Sequence, residues 1–313
     1  MEPSDCTNEE ARPPSRGNHP MPAGPPGRRS RAGCEVAARV AACGLFALAS
    51  VAGPASASDM TGFLAEKGSG TLALGHTIES YDRFWVGETK VYEPALDEIE
   101  TASTALYLRY GLTDSWSLIV GAAHVDAEAS GPANLEDSGF QDLSVLLARR
   151  LWSGSSSGGA RHDLVGAFGV RTPTESYEAN SPVARGDETT DVLLRFVYLL
   201  RKGRLYWSQQ VGFDLRSEDA PDGIPLYTEI GYSFGSRVTA IASISQHFAD
   251  GGTDIGDPGF TFPSNREESL RAGLKAVVRL ERGWGLFGGV FDTLDGRNTG
   301  DATGVSAGVI FDF

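Results

Sequence analysis

Apolar and polar residues alternate along the chain after residue 70, with the period of two that is typical of β-strands. In residues 304–313 one face is wholly apolar, and the other is small or polar apart from Ile310. Turn residues separate such segments, so the pattern predicts an all-β chain of about twelve strands. The predicted strands are residues 71–78, 101–110, 116–126, 139–152, 162–171, 190–200, 205–216, 225–234, 237–248, 268–280, 284–293 and 304–313.

The connections between these strands alternate between long polar ones and short reversals. Membrane barrels show this sorting, with short periplasmic turns and long extracellular loops. A soluble β-sandwich also has alternating strands but no reason to sort its loops. We therefore predict an antiparallel up-and-down transmembrane β-barrel, with both ends on the short-turn side.

The first 57 residues are predicted to be a disordered leader followed by a signal peptide. Basic residues precede an apolar stretch at 40–52, and Ala55 and Ala57 flank a serine in a small-x-small cleavage site. Residues 58–313 then form the mature barrel, and Met21 is an alternative start. This leader predicts that the protein is exported to the outer membrane of a Gram-negative bacterium and that the signal peptide is removed from the mature chain.

All three cysteines, Cys6, Cys34 and Cys43, precede the predicted cleavage site. The mature chain would therefore have no disulfide, thiolate metal site or cysteine nucleophile. Acylation of Cys43 is an alternative, but the apolar stretch continues beyond it. The formal net charge of −14 at pH 7 opposes binding to nucleic acid.

Polar side chains opposite the apolar faces are the predicted lining of the lumen. A barrel of twelve strands lies between small filled barrels and water-filled porins. These side chains could therefore bridge across the interior or line a narrow pore. The candidates are Arg109, Asp191, Arg195, Gln210, Asp214, Arg216, Glu229, Ser245, His247, Arg271 and Lys275.

We also considered catalysis and metal binding. Ser243, Ser245 and His247 share one strand face, but residues two apart on a strand are roughly 6–7 Å apart, too far for a serine–histidine hydrogen bond. The acidic loop at 250–257 could hold a hard cation or be a flexible exposed loop. We predict that the protein is not an enzyme and has no cofactor and no metal site.

Three motifs resemble those of the outer-membrane barrel family associated with meta-pathway phenol degradation. They are Tyr110-Gly111-Leu112-Thr113-Asp114, Ser138-Gly139-Phe140-Gln141-Asp142-Leu143 and Gly169-Val170-Arg171-Thr172-Pro173-Thr174. The resemblance covers the mature chain and implies a barrel that passes small organic molecules. The last strand also resembles the closing strand of outer-membrane barrels, which implies that Phe311 and Phe313 form the signal read by the barrel-assembly machinery.

These observations predict an outer-membrane channel or transporter for small solutes, including hydrophobic or aromatic ones. Its expected partners are outer-membrane lipid, the assembly machinery and the solute. The alternative is a closed barrel whose long acidic extracellular loops bind a partner or cations, without transport. A lumen blocked by its own side chains or by residues 58–69 would favour that alternative.

Overall fold

Twelve long strands form a closed antiparallel β-barrel in the computed structural model, which describes residues 59–217 and 220–313. The barrel strands are β1 (Gly70–Tyr81), β4 (Ile99–Gly111), β5 (Trp116–Ala129), β7 (Leu143–Ser155), β8 (Arg161–Thr172), β9 (Asp191–Lys202), β10 (Leu205–Arg216), β11 (Asp222–Phe234), β12 (Val238–Asp250), β13 (Glu268–Arg279), β14 (Trp284–Arg297) and β15 (Thr303–Asp312). Each pairs with its neighbours in the chain, and β1 pairs with β15 to close the ring. The predicted fold is confirmed.

Three shorter strands lie at the long-loop end. A hairpin of β2 (Phe84–Val86) and β3 (Thr89–Val91) forms within the first long connection, and β6 (Glu136–Phe140) extends the sheet beside β5. A turn of 3-10 helix covers Phe262–Ser264. Among the residues that the structure describes, we find no helix with the length and apolar character needed to cross a bilayer.

The outer surface of the barrel is apolar. Large apolar side chains on this face are exposed, among them Leu74, Leu106, Phe196, Leu274, Val290 and Val305. Leaving so many of them in water would be costly, at roughly 25 cal/mol per Å² of apolar surface, whereas hydrocarbon solvates them.

Aromatic residues surround the outer surface at the short-turn end. The ring of Trp284 contacts that of Phe311 at 4.8 Å between centroids, and Tyr110 stacks on Phe313 at 6.4 Å. Trp116 and Trp207 lie at the same ends of their strands. Such rings are enriched at the boundary between hydrocarbon and water, so this girdle marks one edge of the membrane-spanning region.

The prediction of a single strand over 139–152 is wrong in detail. The chain leaves the ladder between β6 and β7, where Gly139 has a φ of 152° and Gln141 turns inward to donate to the carbonyl of Arg185 at 2.7 Å. The hydroxyl of Tyr177 donates to Asp142 at 2.9 Å. This interruption therefore anchors the connection between β8 and β9.

Candidate functional site

The short-turn half of the lumen is filled by the chain itself. Residues 59–67, which we call the lumen segment, precede β1 and are buried inside the barrel from Met60 to Ala65. The segment packs with inward-facing apolar side chains of the strands in one buried cluster, whose strand members include Ile119, Leu146, Val165, Leu193, Val197, Leu199 and Ile241. Apolar side chains therefore line this half of the lumen together with the predicted polar ones.

Buried polar side chains of the wall bond the backbone of the lumen segment. Arg109 donates from Nη1 to the carbonyl of Phe63 at 3.1 Å and from Nη2 to Oγ1 of Thr71 at 2.9 Å. Gln210 accepts from the amide of Met60 at 2.8 Å. These bonds satisfy groups that would otherwise be buried without partners, at about 1–3 kcal/mol each.

Two glycines allow the lumen segment to lie against the wall. Gly62 has a φ of 74°, and a side chain there would lie 3.1 Å from Cγ1 of Val197. At Gly111, the second residue of the first family motif, a Cβ would lie 1.9 Å from the carbonyl oxygen of Glu66. The segment therefore enters past the turn between β4 and β5, where no side chain stands in its path.

The long-loop half of the lumen contains a cavity of about 470 Å³. Asp59, at the start of the lumen segment, is part of its lining. The apolar part of the lining includes Ile99 of β4, Val125 of β5 and Val183 of the connection between β8 and β9, which belong to one buried cluster. The rest of the lining is largely polar and includes the charged candidates Asp214, Arg216 and Arg271, so the cavity has two chemically different sides.

The polar wall is a network of ion pairs between neighbouring strands. Asp191 bonds Arg171, with Nε to Oδ2 at 2.9 Å, and Arg195 donates to Asp214 at 2.5 Å. Arg216 pairs with Asp187 of the connection between β8 and β9. Each of these arginines has a carboxylate partner, so the positive and negative charges of these pairs balance.

Glu229, Arg271 and Lys275 also have partners within the lumen. Arg271 donates from Nη1 to Oε2 of Glu79 at 3.2 Å. Glu229 accepts from Tyr227 at 2.5 Å, and Nζ of Lys275 lies 3.9 Å from it. These contacts are bridges between side chains within the interior.

Ser245 and His247 line the cavity. Within the described residues, the imidazole of His247 has no hydrogen bond to Ser243 or Ser245. This arrangement lacks the contact between base and nucleophile that a serine hydrolase uses.

Three connections at the long-loop end meet at Asn298, which is part of the cavity lining. Its side-chain oxygen accepts from the amides of Gly87 at 2.7 Å and Ile255 at 3.2 Å, and Nδ2 donates to Asp254 at 2.8 Å. Asp254 also accepts from Nε of Arg297 at 2.8 Å. Hydrogen bonds from Arg297 and Asn298 hold the pKa of Asp254 below its usual value.

These contacts occupy a carboxylate of the loop 250–257, which was considered above as a site for a hard cation. The carboxylate of Asp254 is engaged by a guanidinium and an amide instead. Among the described residues, no three His, Cys, Asp or Glu side chains are grouped as metal ligands.

Sequence reasoning missed several residues of this site. Arg171 lies on the inward face of the predicted strand 162–171 but was not chosen as a candidate, and Glu79 directly follows the predicted strand 71–78. Applying the alternation to every position, and to one residue beyond the first strand, would have found both. Met60 and Phe63 belong to a segment without alternation, and nothing local predicts that it turns into the barrel. The predicted cleavage residues Ala55 and Ala57 lie outside the described residues.

A family model described as "Putative MetA-pathway of phenol degradation" matches residues 87–308. The chain belongs to this family. No curated protein matches the chain.

Solved structures of outer-membrane barrels resemble this member of the family. The COG4313 outer membrane channel from Pseudomonas putida F1 shares 15% identity at a TM-score of 0.64, over 80% of this chain and 97% of that one. The KdgM porin in complex with disordered oligogalacturonate shares 9% identity at a TM-score of 0.46, over 78% of this chain and 99% of that one. Outer membrane phospholipase A from Escherichia coli shares 11% identity at a TM-score of 0.41, over 79% of this chain and 91% of that one. At 15% identity, the similarity to the COG4313 channel shows the fold alone.

Proposed function

We propose that the protein is a channel in the outer membrane of a Gram-negative bacterium, which takes up small apolar or amphipathic solutes. The observation that carries this proposal is the two-sided cavity of about 470 Å³ in the long-loop half of the lumen. Its volume is in the range of pockets that hold small organic ligands. The solute enters from the long-loop side, and its further passage requires the lumen segment to move.

The lining supports a solute with an apolar body and one hydrogen-bonding group. Ile99, Val125 and Val183 offer an apolar surface on one side. On the other side, Ser245, His247 and Arg271 line the cavity and bring hydrogen-bonding groups to it. Acidic residues outnumber basic ones in every long connection, which disfavours anionic solutes.

Uptake into proteoliposomes tests this proposal. Ala127 faces the cavity from β5, so Ala127→Trp should fill it and slow the entry of benzyl alcohol several-fold. Ala122→Trp places the same side chain on the outward face of the same strand and should leave uptake unchanged. Benzoate should enter more slowly than benzyl alcohol. Equal rates for the two variants, or preference for benzoate, would contradict the proposal.

The filled short-turn half favours a second candidate function, a closed barrel whose acidic loops bind a partner or cations. In that case the parent protein passes neither solute, and Ala127→Trp changes nothing. The two candidates therefore differ in the uptake measured for the parent protein itself.

A further inference from the structure

Basic side chains follow the short-turn end of the barrel from β7 to β14. They are exposed, and no ion pair joins any of them to a carboxylate within the described residues. We call them the basic arc: Arg149, Lys202, Arg204, Arg237 and Arg282. The long connections at the opposite end are acidic, so the two ends of the barrel differ in sign.

The position of Arg149 indicates the level of the basic arc relative to the lipid bilayer. It lies on the outward face of β7 directly opposite Trp116, and its guanidinium is 5.2 Å from the centre of that ring. A cation on the outward face is costly in the middle of the hydrocarbon and costs little at the interface. Indole rings also collect at the interface. Arg149 therefore lies at the level of the lipid headgroups.

The other members of the basic arc lie at or just beyond the same level. Lys202 ends β9 and Arg204 lies in the turn before β10, close in sequence to Trp207. Arg237 lies in the turn between β11 and β12, and Arg282 precedes Trp284. These cations thus belong to the end of the barrel that carries the aromatic girdle, near the level of phospholipid phosphates. An unpaired guanidinium is suited to a phosphate, because its N–H groups match the phosphate oxygens.

We propose that the basic arc binds the headgroups of anionic phospholipids in the leaflet that faces the short turns. The side chains lack carboxylate partners of their own, and phosphate supplies the missing charge. Anionic lipid attracts each basic residue near the surface by a factor of roughly five, so several residues acting together give a clear preference. This inference does not depend on which solute the lumen admits.

Native mass spectrometry of the full barrel tests this proposal. The protein is refolded into vesicles of equal phosphatidylglycerol and phosphatidylcholine and extracted with detergent, and the retained lipid is identified. Phosphatidylglycerol should be enriched, and Arg149→Gln should reduce the enrichment by up to roughly five-fold. Arg83→Gln removes an exposed cation from a long connection and should leave the enrichment unchanged.

A variant with all five arc residues replaced by glutamine completes the test. Its enrichment should be lost, while heat-modifiable gel migration shows that the barrel still folds. Inorganic phosphate at matched ionic strength should not displace the lipid if an intact headgroup at the interface is bound. Enrichment that survives the five substitutions, or a parent protein that retains both lipids equally, would overturn the proposal.

Discussion

The two halves of the lumen differ in what occupies the interior of the barrel. The short-turn half is filled, because the lumen segment brings in Met60, Phe63 and Leu64 and the wall supplies matching apolar side chains. The long-loop half keeps a cavity and balances its charges in pairs such as Arg171 with Asp191. One half is packed like a protein core, and the other is organised like a binding pocket.

This difference assigns separate roles to the two halves. A packed half resists the flow of water and ions, whereas a cavity with two chemically different sides can hold a solute. Changes in the short-turn half should therefore alter conductance and the order of the lumen segment. Changes in the long-loop half should alter the behaviour of solutes and loops.

Removing residues 59–65 should have the largest effect. The deletion empties the short-turn half, and the single-channel conductance in planar bilayers should rise several-fold over that of the parent protein. A conductance that stays at the parent level would show that wall side chains, and not the lumen segment, block the lumen.

Gly62→Val should loosen the lumen segment without removing it. The left-handed backbone costs a branched residue about 1–3 kcal/mol, and the side chain would collide with Val197 and Leu199. Proteolysis within residues 59–65 should accelerate. Gly68→Val is the matched control, because its φ is also positive at 79° but no atom lies within 4 Å of the position that a Cβ would take there. Similar proteolysis of both variants would attribute the effect to backbone strain alone.

Arg109→Met should weaken the same contact by a smaller amount. The carbonyl of Phe63 loses its buried donor, which costs about 1–3 kcal/mol. Hydrogen exchange in the lumen segment should rise accordingly. Arg271→Met makes the same change in the long-loop half, next to Glu79, and should leave that exchange at the parent level. An equal rise in both variants would mean that the two halves are energetically coupled.

The pH dependence of the long connections should be the smallest effect. The pKa of Asp254 is depressed by Arg297 and Asn298, so its stabilising contribution is present above the unfolded pKa of about 3.9. That contribution is lost as the pH falls through the lower folded value, and hydrogen exchange in residues 251–267, corrected for its intrinsic pH dependence, should rise modestly. Asp254→Asn should abolish this change, and an unchanged response in the variant would assign it to other carboxylates.

The barrel could be predicted from sequence because its outward face requires an alternation of apolar and polar residues along each strand. Strands such as β10 were placed at their observed bounds, since lipid requires an apolar residue at every second position. Two connections predicted to be long, after β10 and after β14, are much shorter because β11 and β14 extend into them. Strand ends in the loops face no lipid, so alternation is not required there.

The candidate site was harder to predict because it depends on contacts between distant parts of the chain. The inward charges were recognised individually, but the pairing of Arg195 with Asp214 depends on strand register. The lumen segment carries no period, and its position depends on pockets formed by several strands together. Gly111 was visible as a turn residue, whereas the passage of Glu66 beside it was not.

Asn298 limits how the outer surface of this family member can diverge. A single side chain joins the hairpin of β2 and β3, the connection after β12 and the connection after β14. It also has a φ of 51°, which asparagine tolerates better than most residues. An insertion in any one of the three connections would displace the anchor shared by the other two, so their lengths must evolve together.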